Sequence, residues 1–156
     1  MSLIQQFETE LTAAMGHAPR VVGAQEGDHQ LILEAIELNP LACRFDSFRL
    51  KTSALAGATI ERLKRTSEEL SARLTYLLEP IGPIEVDTQQ SIVQMRSKPP
   101  QKDDDGRSYY ELLVKKGGEL VLIRYRKPQG QPRERIHATV TQEVLLRLAA
   151  DFLAVV

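Results

Sequence analysis

The sequence predicts an α+β fold, in which a largely antiparallel sheet packs against two or three helices. Apolar residues recur at helical spacing near both ends of the chain and in its middle. Between these segments lie short runs rich in β-branched and aromatic residues, separated by turn-forming Gly, Pro and Asn. The predicted element order is α-β-β-β-α-β(β)-β-β-β-α, with the helices gathered on one face of the sheet.

The first helix is predicted to start at Ser2, whose side chain has capping-box spacing to Gln5. Strands are predicted near residues 21–22 and over 30–38 and 42–51. In the last of these strands the apolar residues change from one face to the other. That change predicts either a bulge or burial on both faces.

A central helix is predicted over residues 57–78 from a single apolar stripe, and Pro80 should end it. The stripe is too short for a coiled coil, so we expect the helix to pack on the sheet. Residues 84–96 then predict one bulged strand or two short ones. Residues 98–106 lack aliphatic and aromatic side chains and are predicted to form an exposed loop.

The hairpin over residues 107–127 is the most strongly specified part of the chain. Gly117 and Gly118 lie between two apolar runs, and adjacent glycines tolerate the positive φ angles of a type I′ turn. A two-residue loop of this kind pairs Lys116 with Glu119 and predicts every other cross-strand pair in turn. Opposite charges then face each other along the hairpin, which supports this register.

The C-terminal part of the chain predicts one more strand and one more helix. Residues 133–140 alternate between polar and apolar side chains, as expected of a strand with one buried face. Thr141 is positioned to cap a final helix, whose buried side would carry Leu145, Leu148 and Phe152.

Composition places the chain among ordinary globular proteins. Its 156 residues are 42% hydrophobic and 26% charged, which predicts a single domain able to bury a full core. Cys43 is the only cysteine, so no internal disulfide can form. A reducing compartment fits that cysteine usage. We find no signal peptide and no membrane-spanning run, and therefore expect a soluble, cytoplasmic protein with no membrane association.

No motif in the chain indicates an enzyme, although the absence of motifs does not exclude one. Glycine-rich phosphate loops, nucleophile elbows and paired Cys-x-x-Cys motifs are all missing. The acidic run 103–105 does not have EF-hand spacing and is interpreted as a solvated turn. The spacing of the histidines does not match that of metal ligands, and Cys43 is interpreted as a small core residue. We therefore expect no catalytic residue, metal or cofactor.

The most informative pattern is a surface that combines leucines with basic residues. Residues 106–140 hold eight Lys and Arg against three Asp and Glu, a net charge of +5 in a chain of net charge −1. The predicted register gathers the outward side chains of the hairpin and the next strand into a candidate partner surface. Its residues are Tyr109, Leu113, Leu120, Leu122, Arg124, Arg126, Arg135 and His137.

Three interpretations of this surface remain open. Another element of the same chain could cover the leucines, since sheets commonly bury part of both faces. Leucine surrounded by arginine and tyrosine also suits a protein partner or a homodimer. Basic residues beside an aromatic side chain could instead bind nucleic acid or another polyanion. We favour a non-enzymatic protein-binding or assembly domain that self-associates, with nucleic-acid or polyanion binding as the alternative.

Overall fold

Ten strands, all paired antiparallel, form one sheet in the computed structural model, which describes residues 1–156. Three helices accompany the sheet: α1 (Leu3–Ala14), α2 (Ile60–Arg73) and α3 (Gln142–Ala154). The strands are β1 (Arg20–Glu26), β2 (His29–Asn39), β3 (Ala42–Thr52), β4 (Ile81–Asp87), β5 (Ile92–Ser97), β6 (Gln101–Asp103), β7 (Gly106–Lys115), β8 (Glu119–Pro128), β9 (Glu134–Ile136) and β10 (Ala138–Val140). The predicted α+β fold and its element order are confirmed.

The main path of the sheet runs β1-β2-β3-β8-β7-β5-β4, so the hairpin β7–β8 lies at its centre. β3 and β8 pair only where Phe48–Lys51 meets Glu119–Leu122. Beyond that contact the two strands are no longer paired, and β9 adds to β8 while β10 adds to β3. The single strand predicted over 133–140 is therefore wrong. It is broken at His137, because each half pairs with a different strand.

All three helices pack on the same face of the sheet. Their buried hydrophobic residues belong to one core cluster of 31 residues, which also contains one face of each main strand. Phenylalanines join the layers: the ring of Phe48 of β3 is tilted against Phe7, 5.8 Å away, and stacked on Phe152, 5.4 Å away, between ring centroids. The predicted capping box of Ser2 is present, and Thr59 and Thr141 cap the other two helices.

The central helix is shorter than predicted, since α2 ends at Arg73 rather than near residue 78. Leu74 and the residues after it continue the apolar stripe, but they lie in an irregular segment and not in the helix. Tyr76 lies in this segment, where its hydroxyl donates to Asp151 of α3 over 2.7 Å and its ring lies 4.0 Å from the guanidinium of Arg147. These contacts attach the segment after α2 to α3.

The loop predicted over residues 98–106 is exposed but not without structure. Its residues Gln101–Asp103 form β6, which pairs with the start of β7. None of the three helices is long and apolar enough to cross a bilayer.

Candidate functional site

The hairpin register differs from the predicted one by one residue. β7 and β8 are joined by three residues, and Lys115 rather than Lys116 pairs with Glu119. The amide of Gly118 donates to the carbonyl of Lys115 over 3.0 Å, and Gly118 alone has a positive φ, +92°. This is the three-residue hairpin loop that ends in a left-handed glycine, not the type I′ turn.

The shift by one residue sends the predicted partner surface to two different faces. Leu120 and Leu122 are fully buried in the core beneath the helices. Tyr109 and Leu113 lie on the opposite face, as predicted for their own strand. Because side chains alternate along a strand, the wrong register exchanged the two faces of β8. Of the three interpretations of the partner surface, the one in which the same chain covers the leucines is correct for Leu120 and Leu122.

Arg124 also lies on the core face, where it is buried beside Glu79. Its Nη1 donates to Oε1 of Glu79 over 3.1 Å, and its guanidinium stacks 4.4 Å from the ring centroid of Tyr110. The hydroxyl of Ser97 donates to the same carboxylate over 2.7 Å and accepts the amide of Tyr110 over 2.8 Å. Arg124 therefore belongs to the interior of the fold, where it is only 6% exposed, and not to a partner surface.

The other predicted basic residues are exposed or half-buried, and two of them are paired. Arg126 donates twice to Asp103, over 3.0 and 3.1 Å, and lowers the pKa of that carboxyl below its usual range. Arg135 donates to Asp46 over 3.1 Å and so joins β9 to β3. His137 is exposed at the break between β9 and β10. The structure does not bring these residues together with the leucines.

The face of the sheet opposite the helices is not covered by any element, and we call it the open face. One row of paired side chains crosses six strands on it. In order, the row is Ile32, Arg49, Val121, Leu113, Gln94 and Glu85.

Three hydrophobic residues of the open face are buried although no helix packs on them. Tyr109, Val121 and Ile123 are 3%, 6% and 5% exposed, and none belongs to the core cluster. Their neighbours on the same face bury them. The sheet therefore carries a second, smaller apolar centre under a layer of long polar side chains.

A cluster of charged and aromatic side chains lies beside this apolar centre. The carboxylate of Glu111, whose side chain is 3% exposed, accepts from Gln94 and from Arg133, the latter over 3.2 Å. The guanidinium of Arg133 stacks 3.9 Å from the ring centroid of Tyr125. Arg96 stacks in the same way on Tyr109, at 4.7 Å. We call these residues the Glu111 cluster.

The Glu111 cluster leaves hydrogen-bond donors unused. Arg96 approaches Glu111 only to 3.9 Å, which is too long for a hydrogen bond. Its Nε and the Nε of Arg49 are buried without a partner. Both nitrogen atoms are shielded from solvent by neighbouring side chains of the same chain.

Sequence reasoning missed Arg96, Glu111, Val121, Ile123 and Tyr125. The first two require the pairing of β5 with β7, which no local signal indicates. The other three were assigned to the wrong face of β8. The rings of Tyr109 and Tyr125 lie 6.0 Å apart, but this pair was no signal for the true register, because the predicted register also pairs Tyr125 with a tyrosine, Tyr110.

No family model, curated protein or solved structure matches this chain. Function is therefore inferred from the chemistry of its surfaces.

Two other places carry a thiol or a group of basic side chains. Cys43 is buried, and desolvation raises the pKa of its thiol to about 11, so the reactive thiolate is scarce at neutral pH. An open hollow at the far end of the hairpin is lined only by polar, glycine and proline residues, including Lys102, Arg107 and Lys127. The first place is unsuited to nucleophilic chemistry. The second is a basic surface at the end of the hairpin, where Arg107 pairs with Lys127 in the row beyond Tyr109 and Tyr125.

Proposed function

We propose that the chain is a non-enzymatic assembly domain that binds a protein through the open face. The observation that carries the proposal is that the open face leaves two aliphatic side chains, Ile32 and Leu113, half-buried at its surface beside the buried apolar centre of Tyr109, Val121 and Ile123. Side chains alternate along a strand, and those on a sheet face turned to water are normally polar. Apolar patches surrounded by polar residues are typical of protein interaction sites.

The residue types on the open face also suit a protein interface. Tyrosine and arginine are the side chains that most often dominate binding energy when a partner excludes water from them. Here Tyr109 and Tyr125 hold Arg96 and Arg133 by stacking, so the guanidinium groups lose little freedom on binding. The Arg96 side chain is 32% exposed and makes no hydrogen bond to Glu111, so its guanidinium is free to donate to acceptors of the partner.

Photo-crosslinking tests the proposal without knowledge of the partner. With p-benzoylphenylalanine in place of Leu113, irradiation of the cells that make the protein should give a covalent adduct with a protein. The matched control places the same side chain at Leu41, which is 82% exposed in the β2–β3 turn. An adduct at neither Leu113 nor Ile32, both on the open face, would contradict the proposal.

A second candidate function is the binding of nucleic acid or another polyanion in the basic hollow. Lys102, Arg107 and Lys127 line it, and none of them forms a salt bridge within the chain. Base stacking on the open face is not expected, because guanidinium groups already cover the rings of Tyr109 and Tyr125. This candidate therefore relies on phosphate contacts.

Salt dependence tests this second candidate. If single-stranded DNA or RNA binds the hollow, its affinity should fall steeply with salt, with a log–log slope of about −0.7 per phosphate contact. Arg107→Ala with Lys127→Ala should flatten that slope by up to about 1.4, measured by fluorescence anisotropy. Lys64→Ala with Arg65→Ala, on exposed positions of α2, is the control and should leave the slope unchanged. Absence of binding at low salt would exclude this function.

A further inference from the structure

We propose that the protein bound by the open face is a second copy of this chain. The two sheets would pack face to face about a two-fold axis that runs between β7 and β8, parallel to both strands. This inference rests on the proposed function, since it names the occupant of the same face. It adds a specific geometry that the proposed function does not require.

The first support is the order of side chains in the row that crosses six strands. Such an axis exchanges β8 with the partner's β7, and β3 with the partner's β5. Val121 then meets the partner's Leu113, twice by symmetry, so aliphatic side chains lie opposite each other on both sides of the axis. Arg49, whose side chain is 26% exposed, meets the partner's Gln94, with the partner's Glu85 on the adjacent strand.

The second support is charge complementarity in the neighbouring rows. In one of them Glu119 of β8 pairs with Lys115 of β7, so the axis sets Glu119 against the partner's Lys115, twice by symmetry.

Neighbouring axes lack this complementarity. An axis along β8 would oppose Glu119 to the partner's Glu119 and Lys51 to the partner's Lys115. An axis along β7 would oppose Lys115 to the partner's Lys115 and Val121 to the partner's Gln94. Like charges placed directly opposite destabilise an interface. The axis between the two strands avoids them.

The third support is area. Seven strands in the main path, spaced about 4.8 Å apart, make a face roughly 34 Å wide. Strands of about nine residues at about 3.3 Å each make it about 30 Å long, or roughly 1,000 Å² in projection. A stable interface needs about 800 Å² from each partner. The open face is large enough for a second copy, and aligned packing of two sheets is a common architecture.

The first test mixes charge-reversed variants of the purified protein. We expect a dimer for the wild type by light scattering at micromolar concentration. Lys115→Glu and Glu119→Lys should each be monomeric under the same conditions, because each opposes like charges across the interface. An equimolar mixture of the two should dimerise again, since every facing pair then has opposite charges. Circular dichroism should show that both variants are folded.

The second test locates the axis by chemical crosslinking. The axis places Ile32 opposite the partner's Glu85 across a gap of about 10 Å, whereas two copies of Ile32 lie about 24 Å apart along the sheet. That gap exceeds the reach of a disulfide, so a short bismaleimide is used. Ile32→Cys mixed with Glu85→Cys should give a crosslinked dimer, and Ile32→Cys alone should not. Cys43 gives little background because its thiol is buried with a raised pKa.

The outcomes separate this inference from the proposed function. A monomeric wild type whose position 113 still crosslinks to a different protein in cells would show that the partner is not a second copy. The proposal that the open face binds a protein would then still hold. A dimer that survives both charge reversals, or that crosslinks through Ile32→Cys alone, would overturn the axis. A monomer without any adduct on the open face would overturn both proposals.

Discussion

Glu79→Ala should lower the free energy of unfolding by about 3–5 kcal/mol, because it leaves the guanidinium of Arg124 buried without a counter-charge. The side chains of Arg124 and Glu79 are 7% and 4% exposed, so water cannot replace the lost carboxylate. The hydroxyl of Ser97 loses its acceptor at the same time. Urea denaturation followed by circular dichroism measures the change.

Two further variants isolate the cause. Glu37→Ala removes the carboxylate of an exposed ion pair with Arg44 and should cost only about 0–1 kcal/mol. Glu79→Leu combined with Arg124→Met removes both buried charges and should cost less than Glu79→Ala. If Glu79→Ala were no more costly than Glu37→Ala, Arg124 would not depend on its buried partner.

Gly118→Ala should be the second most damaging change, through a different mechanism. A side chain at φ +92° is strained by about 1–3 kcal/mol, and the new Cβ would also overlap the carbonyl oxygen of Thr52. The carbonyl of Gly118 accepts the amide of Thr52 over 2.7 Å, so the turn cannot move away without losing that hydrogen bond. We expect a clear fall in the melting temperature, measured by calorimetry.

The adjacent glycine supplies the matched control. Gly117 does not have a positive φ, and a Cβ there would meet nothing within 4 Å. Gly117→Ala should therefore leave stability unchanged or raise it slightly, by restricting the unfolded chain. Equal losses from the two substitutions would mean that both glycines need positive φ, as in the type I′ turn that the sequence predicts.

The sequence by itself determined the fold class, the element order and the starts of the first and last helices. Each of these depends on interactions within one segment, such as the capping box of Ser2 or the hydroxyl of Thr141 that accepts an amide of the next turn. The alternation of apolar residues in β7 also placed Tyr109 and Leu113 on one face, because that pattern needs no knowledge of the neighbouring strand.

Only the tertiary structure decided the register of the hairpin and the composition of the open face. Adjacent glycines permit a two-residue or a three-residue loop, and cross-strand charge pairing did not separate the two correctly. The contacts present in the true register come from far along the chain. Thr52 binds the carbonyl of Gly118, and Phe48 pairs with Leu122. A shift of one residue in β8 exchanges its two faces. Contacts between distant segments therefore decided that Arg124, Leu120 and Leu122 are buried.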